Sequence, residues 1–340
     1  MAPITEESYY RAGFLEAVAL SSPEAASLVS GDFDIVVAAS SWDRRSVVLT
    51  SAAYSANFGF LLLFTARDTR GLRDEHDRLL KEHLATRCKR VIVIEGESGD
   101  IETIWGNIEK SLTLAAAEYA RPLKLLLDLS ACPRYYSLGI LGWGIRRGRV
   151  SQISILYAEG HYSSGTGARE VAFTGGHWRT VSAPYFEGVC DPGKDRLFLV
   201  SVGFEGGKTL RAVSRADPDR VCILFPRPGV EARYEQLALD ANRELCEHYL
   251  ISTGETIEAH ASNAVAAWAA IQKGNLEYPT RENVYYLCCG TKPHSIAFAL
   301  QALSTESPAV LYNVPEEHVV HDTQPNGKFW LYRITDLSAG

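Results

Sequence analysis

Gly290-Thr291-Lys292-Pro293-His294 stands where an apolar run, Asn283–Cys289, gives way to a helical pattern. These residue types in this order suit an anion. Glycine lets a backbone approach closely and take positive φ, and the N–H groups that open a helix carry partial positive charge. Proline in the first helical turn removes no donor that the helix needs. A helix N-terminus alone is worth only about 0.3–1 kcal/mol to an anion, so the full charge of Lys292 and the hydroxyl of Thr291 carry the reading. The plainer alternative is a β-α turn capped by Thr291.

A second stretch, Gly203-Phe204-Glu205-Gly206-Gly207-Lys208-Thr209, resembles a Walker A loop one residue short, and no Walker B partner accompanies it. It predicts no NTP hydrolysis, but such a loop still offers N–H groups to a phosphate or ribose. Arg67 and Arg227 each follow the second apolar run of their half of the chain. An arginine at a sheet mouth suits bidentate phosphate contact; the bland alternative is an ion pair with Asp68 or Glu231. Cys132 lies at a helix start, where a thiol pKa falls. Ser130, Ser137 and His161 make a triad only on paper, because no G-x-S-x-G elbow exists. His318-Val319-Val320-His321 has a helical metal spacing inside strand-like residues, so neither a metal nor another cofactor is expected.

The elements that would position these residues occur twice. Pro133 falls on Pro293 at an offset of 293 − 133 = 160, within "LLLDLSACPRYYSLGILGWGI" and "NVYYLCCGTKPHSIAFALQAL". "DIVVAASSWDRRS" matches "LFLVSVGFEGGKT" at 197 − 34 = 163, and four further blocks follow in the same order. In each half short branched runs alternate with amphipathic stretches. The runs are Ile35–Ser40, Leu61–Thr65, Val91–Glu95, Leu123–Leu129 and Ile153–Tyr157, then Leu197–Val202, Val221–Phe225, Asn283–Cys289 and Ala309–Asn313. Helical patterns cover Leu72–Leu84, Ile101–Tyr119, Glu231–His248 and Thr256–Gln272. This alternation predicts an α/β fold of two tandem Rossmann-like doubly wound parallel sheets. Each half would end in its own antiparallel hairpin or edge strand, with Pro325-Asn326-Gly327 as the second turn. The expected boundaries are capping helices over 1–32, one repeat over 33–187, a linker at 188–194 and a second repeat over 195–340.

Composition narrows the function classes. Hydrophobic residues at 46% and charged residues at 22% fit a folded soluble chain, and no apolar run is long enough to span a bilayer. No signal peptide is visible, which makes a cytoplasmic protein the expectation. Seven scattered cysteines without C-x-x-C give neither a disulfide framework nor a zinc site; Cys288 and Cys289 read as core. The net charge of −7 disfavours general nucleic-acid binding. Arg146-Arg147-Gly148-Arg149 reads as a solvated helix end.

The strand, the "GTKP" loop and the following helix, on a Rossmann-like unit with an antiparallel end, resemble the CRISPR-associated Rossmann-fold sensor domains (CARF). Those domains pair about a two-fold axis and bind cyclic oligoadenylate between their sheets. The resemblance implies a fused pseudo-dimer of two such units. It implies a later loop of Gly290, Thr291 and Lys292, beside His294, and a first loop of Gly203, Glu205, Gly207, Lys208 and Thr209. The first-half counterparts would be Ser40, Ser41 and Arg44. It departs in Ser130-Ala131-Cys132-Pro133, which replaces the motif in the first half. The expected ligand is a nucleotide or other phosphate-bearing molecule, sensed within a defence-type system. The alternatives are a metal-independent nucleotide phosphodiesterase with His294 as base, or a non-catalytic scaffold for a protein effector partner.

Overall fold

The computed structural model describes residues 4–65, 70–97, 99–162, 174–253, 255–274, 282–305, 308–319 and 323–339. In chain order it runs β1 (Glu6–Ala12), β2 (Leu15–Ser22), α1 (Ala25–Leu28), β3 (Ser30–Ser40), a 3-10 helix (Arg44–Ser51), β4 (Ala53–Thr65), α2 (Arg70–Arg87), β5 (Cys88–Glu97), α3 (Ile101–Ala116), β6 (Leu123–Asp128), α4 (Arg134–Arg146) and β7 (Val150–Tyr162). Next come β8 (Thr174–Ser182), β9 (Asp195–Ser201), α5 (Gly206–Ala216), β10 (Arg220–Pro226), α6 (Ala232–Ala241), α7 (Arg243–Thr253), β11 (Thr256–Ala259), α8 (Ala264–Gly274), β12 (Glu282–Cys288), α9 (Lys292–Ser304), β13 (Ala309–His318) and β14 (Thr323–Asp336). No described helix is long and apolar enough to cross a membrane.

Two compact units result, Met1–Ser163 with Val320–Gly340, and Ser164–Val319. The first holds an eight-stranded sheet in the order β1-β2-β14-β7-β6-β3-β4-β5, and the second a six-stranded sheet in the order β11-β10-β9-β12-β13-β8. Read from the other edge, the second order is β8-β13-β12-β9-β10-β11. It reproduces β14-β7-β6-β3-β4-β5 strand for strand, so the duplication read from sequence is a duplication of topology. Five strands of each copy pair in parallel, β7-β6-β3-β4-β5 and β13-β12-β9-β10-β11. The strands away from the edges, β3, β6 and β7 and then β9, β10 and β12, are buried on both faces over most of their length, which explains their continuous rather than alternating apolar pattern. Val36, Ala38, Leu61, Leu126 and Leu156 share one core cluster of the first unit, and Val200, Val221, Ile223 and Leu287 share one of the second.

The antiparallel strands depart from the expected boundaries. β8, which ends the first repeat, pairs with β13 of the second sheet. β14, which ends the second repeat, pairs with β7 of the first and on its far side with β2. The two repeats thus exchange their closing strands, and neither 33–187 nor 195–340 is a unit. Local pattern cannot reveal this, because an antiparallel strand with one apolar face fits either copy of the same edge.

Other local expectations also give way. The described residues of 1–32 do not form capping helices: β1 and β2 make a hairpin around Gly13 (φ 59°), and among them only Ala25–Leu28 is helical. The signal was there in Leu15, Ala17 and Ala19, fully buried at every second position. Pro325-Asn326-Gly327 is not a hairpin turn but an irregularity inside β14, where the register with β7 shifts between Pro325 and Phe329 and Gly327 takes φ 85°. Thr256–Gln272 is not one helix; its first residues form the short edge strand β11. The expected linker is pinned, since Asn283 of β12 accepts from the Asp191 N–H (2.8 Å) and donates to the Asp191 carbonyl (2.7 Å).

A chain ending at Val319 should therefore damage the first unit rather than the second. Hydrogen exchange should show lost protection across Val150–Tyr162, with Asp195–Ser201 retaining its own.

Candidate functional site

In the second sheet the chain turns from β9 towards β10 on one side and towards β12 on the other, and in open α/β sheets ligands lie beyond the strand ends at such a reversal. Both glycine-bearing loops begin there. A Cβ on Gly203 would lie 3.1 Å from the Cys289 carbonyl oxygen, and one on Gly290 would lie 2.8 Å from that of Val202. The two backbones touch, and side chains at these positions would push the strand ends apart. Ser201, fully buried, ties the contact: its Oγ accepts the Gly290 N–H at 3.0 Å and donates to the Leu287 carbonyl at 3.4 Å. Gly290 thus spends its N–H on the sheet.

Thr291 caps α9, accepting from the His294 N–H at 3.3 Å and donating its hydroxyl to the Ala261 carbonyl at 2.7 Å. Pro293 occupies the first turn, as expected from its missing donor. Lys292 stands half-buried as the first residue of α9. His294 turns into the core. It is fully buried, its Nε2 lies 3.2 Å from the His260 carbonyl oxygen, and burial pushes its pKa down to about 4.

The loop after β9 is closed from two sides. A Cβ on Gly206 would lie 1.7 Å from the Ala241 carbonyl oxygen, so the end of α6 presses on the first turn of α5. Asn242, beyond it, donates to the Gly203 carbonyl at 2.7 Å. Lys208 lies 2.9 Å from the Glu205 carboxylate, and the Thr209 hydroxyl donates to the Glu205 carbonyl at 3.2 Å. Gly207 is exposed on the same turn, and Phe204 lies half-buried beside Tyr234, ring centroids 5.6 Å apart. Arg227 is held by Glu258 at 2.6 Å and faces Glu235 at 3.7 Å; Glu231 instead takes Arg233.

The equivalent ends in the first unit are built differently. Ser40 is 2% exposed, and among the described residues its Oγ has no hydrogen-bond partner. Arg44 points outward as the 3-10 helix begins, while the next residue, Arg45, is buried and grips Asp43 through Nε (3.1 Å) and Nη2 (2.6 Å). His76 Nδ1 reaches the Ser41 carbonyl at 2.7 Å. Arg67 lies outside the described residues. Cys132 is buried, with its thiol towards the Pro133 carbonyl. His321 lies outside the described residues, and among those described no group of three or more acidic, His or Cys side chains could hold a metal.

Sequence reasoning missed Arg45, Glu258 and Thr174. A signal for Arg45 existed, because 208 − 45 = 163 is the offset of that aligned block. Glu258 and Thr174 gave none, being brought in by strand pairing alone.

No protein-family model matches this sequence, and no curated protein does. Among solved structures, the chain is similar to the cytoplasmic domain of a prokaryotic cation chloride cotransporter, with 10% identity and a TM-score of 0.26, over 84% of this chain and 98% of that one. At that level the likeness carries no functional argument.

Gly206→Ala should cost roughly 3 kcal/mol in urea unfolding, as overpacking does when backbone rather than a side chain must move. Gly207→Ala, on the exposed side of the same turn, should change stability by less than about 1 kcal/mol. For His294, the folded pKa of about 4 lies below the unfolded value of about 6.5. Its contribution is therefore complete above pH 6.5 and lost as the pH falls towards 4, by about 3 kcal/mol. Urea melts at pH 7, 5.5 and 4.5 should show that loss, and His294→Gln should flatten it.

Proposed function

We propose that the second unit binds a nucleotide-type anion beyond the ends of β9 and β12, in the manner of a sensor or regulatory module. The observation that carries this reading is the place of Lys292: half-buried, on the first turn of the thirteen-residue α9, beside the touching backbones of Gly203 and Gly290. A phosphate there meets a full charge together with the partial charge of a helix start. The half-buried Phe204 ring supplies a face on which a base stacks, which favours a nucleotide over bare phosphate. Gly207, Thr209 and the Glu205–Lys208 pair border the same loop. A cyclic oligonucleotide and a defence-type role rest on the resemblance to CARF domains described above.

A phosphodiesterase reading finds less support. In-line attack by a ribose hydroxyl needs a general base near physiological pH, whereas His294 is enclosed and held at about 4. The scaffold reading stands as the outcome of a null ligand screen.

The test is a thermal-shift screen against mono-, di- and cyclic oligonucleotides, with Lys292→Ala in parallel. A ligand at 100 times its Kd should stabilise the chain by about 2.7 kcal/mol. Lys292→Ala should weaken that ligand roughly ten- to hundredfold, the worth of a charge-assisted hydrogen bond. A ligand that shifts both proteins equally would refute the role of Lys292, and a flat screen would turn the search to protein partners.

A further inference from the structure

One carboxylate oxygen of Glu205 gathers three donors: the Thr174 N–H at 3.1 Å, the Thr174 hydroxyl at 2.7 Å and Lys208 Nζ at 2.9 Å. Lys208 also donates to the carbonyl and hydroxyl oxygens of Thr174. Thr174 is the first residue of β8, the exchanged strand. Seven residues along α5 from Lys208, on nearly the same helix face, Arg215 lies over the Trp178 ring of β8 at 5.3 Å. The helix that leaves the candidate ligand loop therefore reaches an edge strand with two cations, one of them held by an acid of that loop.

The first unit repeats the device. Arg45, at the position matching Lys208, is held by Asp43 of its own loop and donates to the Ala158 carbonyl of β7 at 3.4 Å. A Cβ on Gly160 would lie 2.9 Å from Arg45 Nη1 and 2.8 Å from the methyl of Thr323, the first residue of the other exchanged strand, β14. In both copies an acid–cation pair in the first loop stands where the exchanged strand enters. The consequences differ with topology. β14 is hydrogen-bonded on both sides over Phe329–Thr335, whereas β8 is the sheet edge and, among the described residues, pairs with β13 alone.

We propose that the Glu205–Lys208 pair is a latch on β8: when Lys208 is drawn off Glu205, the strand opens from β13 at its Thr174 end, so the state of the Gly203–Thr209 loop passes to the exchanged strand. This does not rest on the nucleotide reading. The pair is partly exposed (side chains 26% and 22%), so the variants Lys208→Gln and Glu205→Gln should fold with little loss of global stability.

Hydrogen-exchange mass spectrometry on the full chain decides the matter, with Arg211→Gln, an exposed cation of the same helix, as control. Both latch variants should speed exchange in Thr174–Ser182 about tenfold and leave β9 and β12 unchanged, while the control matches wild type. Unchanged exchange in β8 would overturn the latch. So would an equal rise throughout the unit, because the pair would then be a general stabiliser.

Discussion

The hydrogen bonds by which β14 joins β7 to β2 are the constraint on which the first sheet depends. Without that strand the β1–β2 hairpin has no partner and β7, otherwise buried, becomes an edge with unpaired backbone groups, which carry a cost of their own. The second sheet is completed in the same way by β8, drawn from the end of the first repeat. Exchange keeps each repeat from closing on itself. The covalent chain thus links the completion of each sheet to the other repeat, the intramolecular counterpart of a swap between identical protomers.

A second constraint acts at the mouth of the second sheet. Gly203 and Gly290 bring two β-α loops into backbone contact, with Ser201 as the pin. The same glycines that suggest an anion cradle are required by packing, and the Gly290 N–H is taken by Ser201. The cations of the two loops are disposed differently. Lys208 is engaged by Glu205 and Thr174 at the start of β8, while Lys292 occupies the first turn of α9. Two lysines equivalent in a motif search therefore stand in different surroundings.

The sequence by itself determined the α/β class, the duplication, most parallel strands and the positions of the glycine loops. These are local or near-local properties: apolar runs of strand length, helix starts marked by Thr291 and Pro293, and spacing conserved between copies. It also carried, unrecognised, the alternation of Leu15, Ala17 and Ala19 that makes the N-terminal hairpin. Tertiary structure decided which sheet receives β8 and β14, since two copies of one edge accept the same strand pattern. It also decided that Arg45 rather than Arg44 turns inward, that His294 is core, and that Arg227 meets Glu258. Those outcomes depend on pairs far apart in sequence, whose free energies exist only once the strands are in register.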